Sequence, residues 1–191
     1  MHFSSGYHII LASKSPRRQQ LLKSLDIDFE VRVKEVEETY PPGLAKEEIP
    51  VYLARLKARP FLDELKPGEL LITADTIVWC NNRALGKPSG KEEAFGMISQ
   101  LSGSEHQVIS GVCLSSIQKQ KSFFSVSIVR FKTLSHQEID YYINTYEPYD
   151  KAGGYGIQEW IGFIGVSHIE GSFYNVMGLP TQKLFDEIGY F

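Results

Sequence analysis

Asp75 stands in a stretch, Leu70 to Cys80, that is otherwise almost wholly apolar apart from Thr73 and Thr76. A carboxylate in such a strand is costly unless it is paired or bound to a metal. It could therefore hold a divalent cation or activate a water; the plainer alternative is an aspartate at a strand end bonded to nearby backbone. A second candidate is Ser13-Lys14-Ser15-Pro16-Arg17-Arg18. Free N–H groups at a helix start attract anions, and arginine forks suit phosphate. A simple cap followed by two solvated arginines is the plainer reading of the local pattern, although basic residues there oppose the helix dipole, which mildly favours a functional reason for them. Lys87 in Gly86-Lys87-Pro88 and Lys57 on an amphipathic helix are weaker signals, since most such lysines are surface charge. The loop from Glu147 to Gln158, Glu-Pro-Tyr-Asp-Lys-Ala-Gly-Gly-Tyr-Gly-Ile-Gln, mixes polar groups with glycines. Glycines permit close backbone approach to a ligand, and loops of this kind often line sites; a surface loop with a tight turn is the alternative. His106 has no metal-ligand partner at a recognisable spacing and reads as a structural hydrogen-bonding residue.

These residues need elements to hold them. Tyr7 to Ala12 reads as a short buried strand, and Ser15 and Pro16 are a good N-cap and first residue for the helix that carries Leu21, Leu22 and Leu25. Phe29 to Val33 is a second short strand, followed by Glu35, Glu37 and Glu38 and the Tyr40-Pro41-Pro42-Gly43 loop. The spacing of Tyr52, Leu53 and Leu56 predicts a helix from near Pro50, which Pro60 should stop or kink. Leu70 to Cys80 is the clearest strand, ending at an Asn81-Asn82 turn. Ser89 to Glu92 is a candidate capping box for a helix through Phe95, Ile98 and Leu101, with Gly103 to close it. His106 to Ile117 and Phe123 to Lys132 read as long strands joined by a polar turn. Ser135 to Glu138 is a second capping box, flanked by Leu134 and Ile139 as a staple, for a helix with Ile139, Tyr142, Ile143 and Tyr146 on one face. Phe163 to Ile169 reads as a strand and Thr181 to Ile188 as the last helix. The alternation predicts an α/β protein with a mixed sheet.

Composition sets the limits. The 191 residues, 42% hydrophobic and 23% charged, fit one domain with a real core. The net charge of −3 argues against a nucleic-acid partner, which calls for a basic excess; a single-stranded binder with aromatic platforms is disfavoured for the same reason. Cys80 and Cys113 form no C-x-x-C pair and lie in apolar runs, so buried free thiols are expected. No apolar run reaches the ~18 residues of a membrane span. Met1 to Tyr7 lacks the basic region of a signal peptide, so a cytoplasmic protein is the expectation. No Walker loop, dinucleotide fingerprint or nucleophile elbow is present.

Taken in order, several segments resemble the Maf family of nucleotide pyrophosphatases: Leu11 to Arg18, Ala74 to Val78, Leu85 to Pro88, Ser102-Gly103 through His106 to Gly111-Val112, Glu147 to Gln158, and Ile169 to Pro180. They keep the family's order and cover nearly the whole chain, so residues 1–191 are read as one Maf-like domain. The resemblance implies a fold like that of the inosine-triphosphate pyrophosphatases, a long mixed β-sheet with helices in two lobes around a central cleft. It implies hydrolysis of a nucleoside triphosphate to monophosphate and pyrophosphate, helped by Mg2+ or Mn2+. It also implies roles: Asp75 as proton acceptor, metal ligand or both; Glu38 as an acidic residue near the metal, blurred by Glu37 beside it; Ser13, Arg17, Arg18, Lys57 and Lys87 on the phosphates; Arg17, Thr76 and Gln158 in choice of base. The reaction asks the protein mainly for charge neutralisation and an aligned water.

Within the family one branch is selective for dTTP and UTP, and another prefers 7-methyl-GTP and carries Asp-Gln where this chain has Asp75-Thr76. That pair, with Gln158, points to the dTTP/UTP branch. Three positions depart from the family: Glu159-Trp160 follows Gln158 where many members have glycine, Ser110 replaces a usual threonine, and Pro60 follows Lys57-Ala58 closely. The first bears on the base pocket. The other readings are a pyrophosphatase for 7-methyl-GTP or modified nucleotides, and a non-catalytic division regulator; the latter could dispense with Asp75, Arg17, Arg18, Lys57 and Lys87. A homodimer follows from family likeness only.

Overall fold

The computed structural model describes residues 6–191; the reading of Met1 to Tyr7 as lacking a basic leader falls, for residues 1–5, outside the described residues. The chain divides into two compact units. The first comprises residues up to Asp75, Ser110–Ser125 and Gly178–Phe191. The second comprises Thr76–Ile109 and Val126–Met177.

The first unit begins with β1 (His8–Leu11), α1 (Pro16–Lys23) and β2 (Phe29–Val31). Next come α2 (Glu48–Ala58) and a 3-10 turn, Arg59–Glu64. The chain then enters β3 (Glu69–Cys80). β1 pairs in parallel with both β2 and β3, with α1 and α2 lying in the crossovers that parallel neighbours need. α2 starts two residues before Pro50 and gives way to the tighter turn at Arg59, with Pro60 in its first turn, where a missing N–H costs nothing. Ile10, Ala54, Ala58, Phe61, Leu71 and Cys113 form a core here. α7 (Thr181–Gly189) ends the unit.

The second unit holds the far half of β3, β4 (Arg83–Leu85) and α3 (Lys91–Leu101). The sequence reading contained the Asn81-Asn82 turn but not β4. Both asparagines adopt positive φ, 49° and 58°, the backbone of a tight hairpin turn, and β4 folds back antiparallel on β3. β5 (Glu105–Ser115) and β6 (Gln120–Phe131) run from one unit's residues into the other's. α4 (His136–Tyr146), α5 (Trp160–Gly165), β7 (Val166–Glu170) and α6 (Phe173–Val176) complete the second unit. The sheet is seven-stranded, in the order β2-β1-β3-β5-β6-β7 with β4 beside β3. With parallel and antiparallel pairs, it is the mixed α/β architecture expected.

Two local expectations are corrected. The helix α3 has Gly90 as its cap residue with no side-chain cap; Ser89 instead bonds Glu93 through both its N–H, at 2.7 Å, and its hydroxyl, at 2.6 Å. The pairing skips Glu92 because the cap lies one residue later than the motif suggests. The stretch from Phe163 is not all strand: Trp160–Gly165 is helical and only Val166–Glu170 is extended. Apolar periodicity does not separate a short buried helix from a strand, and here the winding is set by Gly162, where a Cβ would lie 1.9 Å from the Ile157 carbonyl oxygen. By contrast, the Ser135–Glu138 capping box is complete. Cys80 and Cys113 are buried free thiols. Among the described residues, no helix is long and apolar enough to cross a membrane.

Candidate active site

In the first unit, the loop after β1 is fixed by its own serines. The Ser13 hydroxyl accepts from the Ser15 N–H at 3.2 Å, and the Ser13 carbonyl accepts from Gln19 at 3.0 Å. Ser15 caps α1 by accepting from the Arg18 N–H. Arg18 then turns inward: Nε donates to the Gly178 carbonyl at 2.9 Å and Nη1 to the Ala74 carbonyl at 2.8 Å. One fork thus braces the strand residue beside Asp75 against the approach to α7. Burial lowers the Arg18 pKa, Asp75 and Glu38 oppose that effect, and the Arg17 charge adds to it. Asp75 and Glu38 are therefore close enough to Arg18 to be felt.

Lys57 is the hub. Its ammonium lies 2.5 Å from Asp75 Oδ1 and 2.9 Å from Glu38 Oε1. Asp75 is buried, so without a cation its charge would be prohibitively desolvated. The alignment follows from neighbouring residues. Thr73, two residues before Asp75 and on the same face of β3, donates its hydroxyl to the Ala54 carbonyl at 2.7 Å. Ala54 is one helical turn before Lys57 on α2. The same helix presses on β5 at Gly111, where a Cβ would meet the Pro50 carbonyl at 2.4 Å; no larger residue fits there. One hydroxyl and one glycine thus set the register between Asp75 and Lys57.

In the second unit, Thr76 is half-buried and, one residue after Asp75, points to the opposite face of β3. Lys87 is exposed in the loop after β4. That loop is tied to the glycine-rich loop, since Gly153 N–H donates to the Gly86 carbonyl at 2.9 Å. Gln158 is half-buried between Gly156 and Glu159. Lys151 is buried and lies 2.6 Å from Asp150 and 3.1 Å from Glu159. Tyr142, on α4, donates its hydroxyl to the same Glu159 carboxylate and accepts from the Gly156 N–H at 2.9 Å. Burial, then Glu159, pushes the Tyr142 pKa well above its usual value. His106 bonds the Tyr155 hydroxyl at 2.7 Å inside the core, the structural role its pattern suggested.

The first unit thus gathers Glu38, Lys57, Asp75 and Arg18, with Ser13 shaping the loop that delivers Arg18. The second links the loops of Lys87 and Gln158. Sequence reasoning passed over Thr73 and Gly111 as positioning residues; a polar residue two before Asp75 was the available signal for Thr73. It also assigned no role to Tyr142 and Lys151, and saw Glu159 only as a departure. Among the described residues no three His, Cys, Asp or Glu side chains cluster as a full metal cage. Glu38 and Asp75 do converge on one cationic group, the Lys57 ammonium. Two carboxylates suit a hard cation such as magnesium, which is commonly held by one or two carboxylates plus substrate phosphates.

A family model described as Maf-like protein matches residues 8–191. The dTTP/UTP pyrophosphatase of Bacteroides thetaiotaomicron is 56% identical over 183 residues, 95% of each chain. That of Parabacteroides distasonis is 55% identical over 186 residues, 97% of this chain and 96% of the relative. That of Flavobacterium johnsoniae is 56% identical over 180 residues, 94% of this chain and 93% of the relative. Among solved structures, the Staphylococcus aureus Ham1 protein matches 65% of this chain and 71% of its own, at 18% identity and a TM-score of 0.46.

Proposed function

The chain belongs to the Maf family, and from that premise we propose that it hydrolyses dTTP and UTP to the nucleoside monophosphate and pyrophosphate. The observation that carries this reading is the Lys57 ammonium shared by Asp75 and Glu38, in a chain more than half identical to proteins named dTTP/UTP pyrophosphatase.

The chemistry asks little covalent work of the protein. Asp75 takes the proton of the attacking water, its burial in β3 fixing the carboxylate in place. Lys57 turns its charge from the carboxylates to the incoming triphosphate. Arg17 adds a second cation at the start of α1, with Ser13 holding that loop. Arg18 contributes charge while its fork braces Ala74 and Gly178. The family resemblance adds Lys87 on the triphosphate, and Thr76 and Gln158, with Arg17, in the choice of base. Glu38 and Asp75 would hold magnesium or manganese, which when bound supplies positive charge to the phosphate oxygens. The Asp75-Thr76 pair and Gln158 favour a pyrimidine over 7-methyl-GTP. The proposed setting is the cytoplasmic nucleotide pool, and the proposed assembly a homodimer.

The test is pyrophosphate and orthophosphate release from a panel of nucleoside triphosphates with magnesium or manganese, with Asp75→Asn as control. Pyrophosphate from dTTP and UTP, lost in the control, is the expected result. Orthophosphate instead would mean cleavage at the wrong bond. Silence across a panel that includes 7-methyl-GTP and modified pyrimidine nucleotides would favour a non-catalytic regulator.

A further inference from the structure

Glu159, the residue after Gln158, is held from several sides. One carboxylate oxygen accepts from the Tyr142 hydroxyl, and the other lies 3.1 Å from the buried Lys151 ammonium. The same tyrosine oxygen accepts from the Gly156 N–H at 2.9 Å. Glu159's own N–H donates back to the Gly156 carbonyl at 3.0 Å, and its carbonyl accepts from Gly162 at 2.9 Å. The fit leaves no slack: a Cβ on Gly156 would lie 2.8 Å from the Glu159 carboxylate carbon. Gln158 is the residue left standing between these fixed points, half-buried, with Gly156 and Glu159 pinned on either side of Ile157 and itself.

We propose that Glu159, clamped between Tyr142 and Lys151, is a positioning residue for base selection: it fixes the Gly156–Glu159 turn so that the Gln158 amide meets the pyrimidine in one orientation. This rests on the reading of Gln158 as a base-contacting residue. The amide of a glutamine carries a donor and an acceptor on one plane, and it discriminates bases only if the backbone beneath it holds that plane still. A glycine at position 159 would leave the turn to its backbone bonds alone; here a charged, half-buried side chain tied to Tyr142 and the buried Lys151 replaces that freedom. The Gly153–Gly86 bond extends the same brace to the loop of Lys87.

The measurement is kcat/KM for dTTP divided by that for dCTP, in Gln158→Ala, Glu159→Ala, Glu159→Gln and the double variant Gln158→Ala/Glu159→Ala. The ratio should fall about tenfold in Glu159→Ala, on the scale of the net contribution of one hydrogen bond. It should fall less in Glu159→Gln, which still accepts from Tyr142. The double variant should select no worse than Gln158→Ala, because residues acting through one contact are not additive. A ratio moved by Gln158→Ala but not by Glu159→Ala, or additive losses in the double variant, would overturn the proposal. A ratio unmoved by Gln158→Ala would overturn the base-contact reading and the proposal with it. If Glu159→Ala does not fold, Tyr142→Phe, which keeps the ring and removes the hydroxyl, takes its place with the same expected outcomes.

Discussion

Lys57 and Lys151 are both held between two carboxylates, Asp75 and Glu38 in one case, Asp150 and Glu159 in the other. Their surroundings differ in one respect that decides their use. Glu159 is also bonded by a tyrosine hydroxyl that is itself tied to backbone, so the ammonium closes a ring of fixed groups. Lys57 bridges a buried Asp75 to a Glu38 whose side chain is 42% exposed. Asp150 is exposed as well, at 60%, and such partners compete weakly because surface ion pairs contribute little; the tie of Glu159 to Tyr142, not exposure, sets Lys151 apart. A phosphate with several charged oxygens can therefore draw the Lys57 ammonium away, whereas drawing Lys151 away would dismantle a turn. On the proposed function, the same trio of charges serves exchange in one unit and fastening in the other.

The sharpest way to break this comparison is Asp75→Asn. The amide keeps the size and can still accept from Lys57, so the fold should survive, with a melting temperature within a few degrees of wild type. Turnover with dTTP should fall about a thousandfold, roughly 4 kcal/mol of transition-state stabilisation. A variant that instead unfolds would show that the first cluster is a fastening too.

Much of this division was legible in the residues. The cost of a lone carboxylate in an apolar strand marked Asp75, and Ser15-Pro16 and Ser135–Glu138 marked two helix starts, because caps and desolvation are local effects. What was not legible depends on contacts distant in sequence. No spacing announces that Tyr142 will meet Glu159, that Thr73 will bond Ala54, or that Gly111 must be bare because Pro50 presses on it. The helix at Trp160 was read partly as strand for the same reason: its winding is imposed by Ile157 against Gly162, not by its own apolar run.

Acid should find the fastened unit first. His106 is buried and neutral beside Tyr155, and burial pulls its pKa from 6.5 down to about 4, with Glu105 in slight opposition. Among the described residues its Nδ1 has no hydrogen-bond partner, so the imidazolium, a donor at both nitrogens, would find no acceptor there. The unfolded chain binds a proton near the ordinary histidine value, and the folded chain does not. The stability this histidine contributes is therefore complete above about pH 6.5 and is lost as pH falls through 4, a change of roughly 3 kcal/mol at about 1.4 kcal/mol per unit. Urea midpoints measured from pH 7 to pH 4 should fall more steeply in wild type than in His106→Phe. Parallel curves would remove His106 from the account.

The smallest effect tests whether the fastening is local. Ser135 caps α4 and Glu138 returns a bond to the Ser135 N–H at 2.7 Å, two turns before Tyr142 on the same helix. Ser135→Ala should cost about 1 kcal/mol of stability. It leaves Tyr142, Glu159 and Lys151 with their own bonds, and Tyr142 is buried in the core with Ile139 and Ile143. The preference for dTTP over dCTP should therefore stay unchanged, while the urea midpoint drops. A shift in preference from so remote a cap would mean that the whole of α4, rather than the Tyr142–Glu159–Lys151 ring, holds Gln158 in place.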